Sequence, residues 1–531
     1  MKKILLLVNL AVFLFVVQIN AQTVTVSGDI STNTTWLSNT TYLLSGFVYV
    51  TNNAELTIEP GTIIKGDKAS KGSLIITRGS KIFADGTPSQ PIVFTSNEPA
   101  GSRTYGDWGG LVICGNAPIN DPAGEEVIEG GVDPVKGLYG GSNSSDNSGI
   151  LRYVRIEFPG IAFMPNNEIN GLTMGGVGSG TTIDYIQVSY SGDDSYESFG
   201  GNVNLKHLIA YRGLDDDFDT DYGFSGRCQF LVSLRDSNVA DISGSNGFES
   251  DNDATGSLNT PTTHPIYSNV TELGPMVNAG TQINSNFKRG AHIRRSAKTS
   301  IYNSVIAGYP TGLLVDGTNC ESNANNDELQ FRNNVLAGCT TPLAVASGST
   351  FDITTWFNMP VFANSILPNT SDLNLTDAYN YDAPDFMPLN TSPLLSGADF
   401  SASNLLDPFF EDVTFRGAFG ATDWTSGWTN FDCQNTDYTT GIKENEAVES
   451  AILFPNPIDA SSQLSFELVN ASTIDLNIMD ISGKVVSSTV YTNLSAGHHR
   501  VLLTEKSIVA GIYTLQIKSA FGTSVRKLIV R

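Results

Sequence analysis

The chain has 531 residues, of which 40% are hydrophobic and 16% charged, and its formal net charge is −24. This acidity argues against nucleic acid as a partner, because phosphate binding needs clustered Lys and Arg. The length allows two to four domains or one long repetitive domain. The 51 glycines favour turns and short strands over helices, so the composition predicts an all-β fold.

The N-terminus, residues 1–21, has the pattern of a secretory signal peptide. Lys2 and Lys3 precede an almost wholly apolar run over residues 4–17, and Ala21 is a small residue at a plausible cleavage point. The run is too short to favour a permanent transmembrane span, and no second long apolar stretch follows it in the sequence. We therefore predict an exported protein with no transmembrane segment after signal removal.

Export permits disulfides, but the five cysteines form no CxxC motif and no Cys/His metal spacing. Because their number is odd, at least one thiol stays unpaired within a monomer. Cys320 and Cys339 are the pair that we consider for a bridge.

Short apolar segments recur between turn signals and align with one another. The copies start at residues 151, 183, 205, 228, 301 and 331. The best-matched copies are 22 and 23 residues apart. This period is too long for a hairpin and too short for a strand–helix–strand unit, whereas it fits one coil of a parallel β-helix. The sequence therefore predicts a parallel β-helix, with a sandwich or a propeller as alternatives.

The repeats fade after about residue 345, and this sets the predicted domain boundaries. We predict a β-helix body over residues 22–432, in which residues 346–432 wrap or cap the open apolar end of the solenoid. A polar linker follows over residues 433–449. Residues 450–531 alternate apolar and polar side chains between turn signals, which predicts a small antiparallel β-sandwich.

The last segment resembles a known family in five motifs that occur in the right order. These motifs are FPNP, MDISGKVV, LSAGHHRV, VAGIYTLQI and KLIVR. They resemble the C-terminal sorting domain of the type IX secretion system, which exports proteins across the outer membrane of Bacteroidetes-type bacteria. The resemblance implies handling by the type IX machinery through residues 450–531, and secretion or delivery to the outer cell surface.

The body resembles secreted bacterial right-handed parallel β-helix proteins that often carry this sorting domain. The resemblance rests on the segments IEPGTIIKG, GDWGGLVICG, DDDFDTDYGFSG and RGAHIRRS. It supports the fold and implies no defined activity.

Aspartates follow three of the aligned copies at the same place. Asp193 and Asp194 follow one copy, Asp215, Asp216 and Asp217 follow the next, and Asp236 follows the third. On successive coils these carboxylates would stack about 4.8 Å apart. Their mutual repulsion then has to be offset by a cation, by arginines or by protonation.

Calcium is the cation that fits these groups, because it takes about six to eight oxygen ligands, mainly from carboxylates and carbonyls. The predicted metal ligands are Asp215, Asp217, Asp219, Asp221, Glu249, Asp251 and Asp253. Several of them alternate along the chain, which places them on one face of an extended backbone. The stretch is not an EF-hand, because Cys228 stands where that loop needs Glu. A solvated acidic edge without metal is the alternative.

Catalysis is the third interpretation, since parallel β-helices also host polysaccharide lyases and hydrolases. Its candidate carboxylates, on adjacent coils, are Asp193, Asp194, Asp215 and Asp216. Arg212, Arg235 and the basic run over residues 288–295 would bind an acidic sugar, although we favour pairing of that run with the acidic residues. Aromatic candidates for sugar stacking, each better explained by packing, are Trp108, Tyr196, Tyr211, Trp424 and Trp428.

The function that the sequence predicts is a non-catalytic, calcium-stabilised adhesion or glycan-binding module, secreted or held at the outer cell surface. A polysaccharide or cell-surface glycan is the expected partner besides the secretion machinery. The alternative is a carbohydrate-active enzyme, a lyase or a glycoside hydrolase, that uses aspartates on adjacent coils.

Overall fold

A computed structural model describes residues 22–164, 167–438, 449–454, 456–458, 462–468, 471–480, 484–503, 508–519 and 522–530. It divides into a body, residues 22–438, and a C-terminal unit, residues 449–530, as far as these are described. The predicted signal peptide, residues 1–21, and residues 439–448 of the predicted linker lie outside the described residues.

The body is a solenoid of parallel strands that turns around one apolar core. Ile183 pairs in register with Leu205, and Leu205 pairs with Cys228. These pairings confirm that the copies at residues 183, 205 and 228 are consecutive coils of a parallel β-helix. Ile301 and Phe331, at the starts of the last two copies, also pair in register.

Each coil passes through three faces, which are defined by the strands that pair along them. Five long strands run through the first and second faces: Gly149–Glu157, Thr182–Ser189, Asn204–Tyr211, Arg227–Leu234 and Ile266–Leu273. The other strands of the first face are Thr34–Trp36, Glu55–Ile58, Lys81–Asp85, Ser300–Tyr302 and Phe331–Arg332. The other strands of the second face are Ile63–Gly66, Ile92–Ser96, Val305–Ala307, Val335–Ala337 and Ser365–Leu367.

The third face carries the shorter strands that follow in each coil. They are Ser73–Ile76, Leu111–Cys114, Leu172–Val177, Tyr196–Gly201, Phe218–Asp221, Phe248–Ser250, Arg289–Ile293, Thr311–Val315 and Thr341–Val345. Two strands near the start of the body run through the second and third faces, and they are Gln22–Ile30 and Thr40–Val50.

A bend within each long strand separates the first face from the second. Tyr153, Tyr185, His207, Phe230 and Asn269 occupy this bend on successive coils and have φ between 49° and 60°. A left-handed backbone is unfavourable for residues other than glycine, and ring stacking contributes compensating stability here. Ring centroids are 4.5 Å apart between Tyr153 and Tyr185 and 4.2 Å apart between Tyr185 and His207.

The sequence pattern does not predict one coil of the solenoid, which contains the strand Ile266–Leu273. Tyr267 pairs with Cys228 on one side and with Ile301 on the other. Thr271 and Glu272 stand where the aligned copy two coils earlier has Ile209 and Ala210, and a long loop precedes the strand, so neither periodicity nor spacing predicts this coil.

An α-helix, Ile353–Phe357, and a 3-10 helix, Pro360–Phe362, cover the end of the solenoid. Trp356 and Phe357 are buried in the same core cluster as Phe331 of the last coils. Later residues of the predicted capping region lie along the side of the body. The other helices are Thr318–Asn325, Thr370–Leu373, Pro393–Leu395 and Ser403–Leu405. Short strands outside the solenoid are Glu126–Val127, Leu138–Tyr139, Ala162–Met164, Asn167–Glu168, Leu375–Asp377 and Asp385–Pro388.

All five cysteines lie in the described part of the body, and each has a free thiol. The bridge considered between Cys320 and Cys339 is therefore absent. Cys320 is buried on the helix Thr318–Asn325, whereas the Sγ of Cys339 lies 3.7 Å from the carbonyl oxygen of Ala337.

The C-terminal unit contains two antiparallel sheets around one apolar core. The three-stranded sheet contains, in order, Glu449–Phe454, Gln463–Leu468 and Gly497–Leu502. The four-stranded sheet contains, in order, Val485–Leu494, Ser472–Met479, Gly511–Ser519 and Gly522–Val530. Phe466, Leu476 and Leu515 are among the buried residues that the two sheets share, as expected of a small antiparallel sandwich. Among the described residues of both units, no helix has the length and hydropathy needed to cross a membrane.

Candidate functional site

Four Asn and Asp side chains lie at the corner that precedes the third face on four successive coils. The backbone N–H of Asp194 donates to Oδ1 of Asn170 at 3.2 Å, and the N–H of Asp216 donates to Oδ1 of Asp194 at 2.8 Å. The N–H of Asn246 donates in turn to Asp216. None of the four is more than 8% exposed. This corner row ties neighbouring coils together through acceptor oxygens, which either Asn or Asp can supply.

A second row of ionisable side chains lies on the outer side of the third face. Glu197 pairs in register with Asp219, Asp219 with Glu249, and Glu249 with His292. Paired residues of an in-register parallel sheet lie on the same side, so these four form one row, the face row. The aromatic residue that precedes each of the three carboxylates is buried in the core.

Asparagines of the corner row donate to the carboxylates at both ends of this acidic stretch. The Nδ2 of Asn170 donates to Glu197. The Nδ2 of Asn246 donates to Oε2 of Glu249 at 2.9 Å. The two middle members of the corner row are aspartates, whose ionised side chains have no N–H to offer. In the middle of the two rows, carboxylates therefore face carboxylates.

Two groups of three carboxylates result, and Asp219 belongs to both. The first group is Asp194, Glu197 and Asp219, and the second is Asp216, Asp219 and Glu249. Within each group, one oxygen per residue lies within 4.8 Å of the others. The buried Oδ1 of Asp219 has no hydrogen-bond partner among the described residues. At this distance each ionised pair repels by about 3 kcal/mol with an effective dielectric constant of about 20.

The protonation equilibria of these groups reflect burial and crowding. Burial, and after it the charge of neighbouring carboxylates, raises the pKa well above its usual range in Asp194, Glu197, Asp216 and Asp219. Glu249 differs, because the His292 hydrogen bond and the Arg294 charge outweigh its burial and lower its pKa. The protein itself therefore compensates the charge of Glu249, and it leaves the other four in need of a proton or a cation.

In the described part of the body, basic side chains neutralise only one end of the acidic stretch. His292 lies 3.3 Å from Glu249 through Nδ1. Arg294 holds both carboxylate oxygens of Asp251, at 2.7 and 3.0 Å, and also contacts Glu249. Arg295 lies 2.7 Å from Asp251. The predicted pairing of the basic run with the acidic residues is confirmed for these three side chains.

Asp193 and Asp215 form a third group with Asp194, whose oxygens also lie within 4.8 Å of one another. Both residues are half-buried. Burial raises the pKa of Asp215 to about 6, although Ser243 Oγ donates to it at 2.7 Å. Burial and the nearby charge of Asp215 raise the pKa of Asp193 well above its usual range. Of the four carboxylates in the catalytic alternative, these two are more exposed to solvent than Asp194 and Asp216.

Asp217 lies in a separate, fully buried charged cluster. Its Oδ1 accepts a hydrogen bond from Nη1 of Arg235 at 2.8 Å, and neither side chain is exposed. Burial and the charge of Asp217 raise the pKa of nearby Glu272 well above its usual range, and the Tyr309 hydroxyl donates to Glu272 at 2.9 Å. Asp217 therefore has a protein counter-ion, and Arg235 does not reach the surface.

The remaining predicted metal ligands lie at the far end of the third-face strands. Burial and the charge of Asp251 raise the pKa of Asp221 to about 8. Asp253 accepts hydrogen bonds from Thr255 and Ser257, which lower its pKa although burial opposes them. The predicted ligands that belong to the three carboxylate groups are Asp215, Asp219 and Glu249.

Side chains considered for sugar binding are mostly engaged within the body. Arg212 forms an ion pair with Asp236, and its guanidinium carbon lies 5.1 Å from the ring centroid of Tyr190. The aromatic candidates that are buried, as packing predicts, are Trp108, Tyr196, Tyr211 and Trp428.

Two family models match the chain. One, described as a pectate-lyase-like β-helix domain, matches residues 28–374, and the other, described as a secretion system C-terminal sorting domain, matches residues 452–531. The chain belongs to the pectate-lyase-like β-helix family. No curated protein matches it. The sorting domain directs this β-helix protein through type IX secretion to the outer cell surface, as the motifs predict.

Sequence reasoning about this pectate-lyase-like β-helix missed Glu197. The signal was present in the third-face strands, where an aromatic residue, an acid and a hydroxyl residue recur in that order. The three copies are Tyr-Glu-Ser from residue 196, Phe-Asp-Thr from residue 218 and Phe-Glu-Ser from residue 248. The sequence prediction compares only the long strands of the first and second faces. An alignment of the third-face strands places Glu197 beside Asp219.

Proposed function

We propose that this secreted β-helix protein is a non-catalytic surface module that calcium stabilises, and that it serves adhesion or glycan binding. The proposal rests on the two carboxylate groups that share Asp219. Where the corner row has Asn, its amide donates to the facing carboxylate. Where it has Asp, at Asp194 and Asp216, the corner side chain offers no donor to Asp219, whose Oδ1 has no hydrogen-bond partner among the described residues, although Nδ2 of Asn246 donates to Asp216 and Glu249. A bound cation would supply the missing positive charge at those two places.

The donor set fits calcium. All side chains of the two groups are carboxylates, the hard oxygen ligands that calcium prefers over softer nitrogen or sulfur ligands. Thr173 pairs in register with Glu197, and its buried hydroxyl oxygen has no hydrogen-bond partner among the described residues. The hydroxyl oxygen of Thr173 is therefore one further oxygen available on the coil next to Glu197, and Asp219 would contribute to both positions.

Burial argues against a direct catalytic role for Asp194 and Asp216. They are 8% and 4% exposed, and each accepts a backbone N–H from the next coil. A general acid or base has to come within hydrogen-bond reach of the proton that it transfers. These two carboxylates instead hold the corner of the solenoid.

A polysaccharide lyase or glycoside hydrolase is the second candidate, and Asp193 and Asp215 support it. They are half-buried neighbours, and a pKa of about 6 for Asp215 suits proton transfer near neutral pH. The family description names pectate lyase, which favours an acidic polysaccharide as the substrate.

Melting curves and product analysis of the full chain separate the two candidates. We expect the melting temperature of the body to be lower in excess chelator than in calcium, since calcium at a hundred times its dissociation constant adds about 2.7 kcal/mol to the free energy of unfolding. We also expect retention on immobilised acidic polysaccharide without release of sugar products. Identical melts would contradict the calcium site, and released products would favour the enzyme.

Asp219→Asn is the matching variant, because it removes the carboxylate that both groups share. We expect it to abolish the difference between the calcium and chelator melts. Asp412→Asn makes the same change at an exposed position and should keep that difference. If both variants respond to calcium like the wild type, calcium binds elsewhere.

A further inference from the structure

Residues 397–438, here called the strap, lie along the outside of the coils after the capped end. Their described secondary structure is one short 3-10 helix, Ser403–Leu405. The coils of a solenoid contact only their neighbours, so their stability is a sum of local terms. The strap differs, because it contacts coils that do not contact each other.

Three buried carboxamides on three different coils hold the strap. Each pairs with both the N–H and the carbonyl of one strap residue, so it replaces a neighbouring peptide group. The pairs, with distances of 2.8–3.3 Å, are Gln187 with Asn430, Gln229 with Glu411, and Asn303 with Asp399. All three carboxamides have 0% exposure. Without the strap, each would lose a donor and an acceptor partner, which is costly for a buried polar group.

Aromatic side chains of the strap cover the bend between the first and second faces. The Trp428 ring is 2% exposed and lies 5.8 Å from Tyr153 and 6.0 Å from Tyr185. The Trp424 ring lies 5.2 Å from His207. The strap therefore covers the half-buried bend residues of three successive coils.

The last residues of the strap are anchored on earlier coils. The Tyr438 hydroxyl donates to Oε1 of buried Glu157 at 2.6 Å. Arg103 donates from Nη1 to the carbonyl oxygens of Cys433 at 2.7 Å and Thr436 at 2.8 Å. Both Tyr438 and Arg103 are 4% exposed. One segment thus joins the loop around residue 103 to the coil that contains Asn303.

We propose that the strap couples these distant coils, so that the body opens as one cooperative unit instead of coil by coil from its ends. Detaching the strap at one coil removes buried partners from the coils at its other end. The chain needs all its coils in place before the strap can make these contacts, and the strap then holds them together.

Hydrogen exchange of the full chain, followed by mass spectrometry, tests this coupling. Gln187→Met keeps the size of the side chain and removes both hydrogen bonds to Asn430. We expect amide exchange at least about tenfold faster in residues 182–189, and also in residues 300–307 and 397–418. Tenfold corresponds to about 1.4 kcal/mol, the order of two buried hydrogen bonds.

Gln90→Met is the matched control, because Gln90 is exposed and the chemical change is the same. It should leave exchange unchanged throughout the body. Tyr438→Phe removes only the hydroxyl bonded to Glu157 and gives a milder second test if Gln187→Met fails to fold. Faster exchange that stays within residues 150–189 and 424–438, with residues 300–307 at the wild-type rate, would overturn the proposal.

Discussion

Asp194→Asn replaces one carboxylate of the corner row with an amide and so removes one negative charge beside the face row. Asparagine keeps an Oδ1 that can accept the N–H of Asp216, so the corner contact is preserved. Its Nδ2 replaces an oxygen that faces Glu197 and Asp219. Asn170 already has this arrangement on the preceding coil. We therefore expect the variant to be more stable than the wild type when calcium is absent.

The magnitude follows from the repulsion and from its relief by protonation. One ionised pair within 4.8 Å repels by at least about 3 kcal/mol at an effective dielectric constant of about 20, and protonation of one member relieves this repulsion. The folded-state pKa of Asp194 is raised by burial and then by neighbouring carboxylates, so the native state binds a proton that the unfolded chain releases. Wild-type stability therefore falls as the pH rises from about 4 towards that raised pKa, by up to about 1.4 kcal/mol per unit for this group.

Thermal melts in chelator between pH 4 and 8 measure this effect. We expect little difference at pH 4 and a gain of about 1–3 kcal/mol for Asp194→Asn at pH 8. With about 2.1 cal/mol/K per residue, a body of this size shifts by about 1 °C per kcal/mol. Asp194→Ala is the control, because it relieves the same repulsion but also removes the corner acceptor, so at pH 8 it should be about 1–3 kcal/mol less stable than Asp194→Asn. A variant that is less stable than the wild type at pH 8, or a difference that does not change with pH, would refute the reasoning.

Arg235→Met should lower the free energy of unfolding by about 3–5 kcal/mol, because it leaves the buried charge of Asp217 without its counter-ion. Urea denaturation measures this loss, and a change below about 1 kcal/mol would contradict a buried ion pair. Trp356→Ala should cost about 3–5 kcal/mol by opening the capped end of the core. Urea denaturation with light scattering should show lower stability and more aggregation, whereas wild-type behaviour would mean that other residues cover the end.

The solenoid could be predicted because its core repeats in sequence. Ile183, Leu205 and Cys228 face the same interior on consecutive coils, so each coil has to supply an apolar residue at that place. The coil of Ile266–Leu273 was missed because loop length between coils is free to vary. The side-on course of the strap could not be predicted either, since its contacts join residues that are far apart in sequence.

The site was only partly predictable, because its members come from different coils. The spacing of Asp217, Asp219 and Asp221 indicated one shared face, but the strand begins at Phe218. Asp217 therefore lies before the strand, at the corner, where it contacts Arg235. The carboxylate groups around Asp219 depend on the register between strands of neighbouring coils. The spacing of residues within one segment gives no information about that register.

Charge compensation along the third face changes at Asp219. On the later coils the protein supplies its own cations, since His292 and Arg294 lie against Glu249 and Asp251. The fold can therefore accommodate a basic residue in this row, since His292 occupies it. The two coils before Glu249 nevertheless have the carboxylates of Glu197 and Asp219 at the equivalent places. A proton or a cation has to balance those charges. Because the strap links these coils to distant ones, the occupancy of a local acidic site would then affect the stability of the whole body.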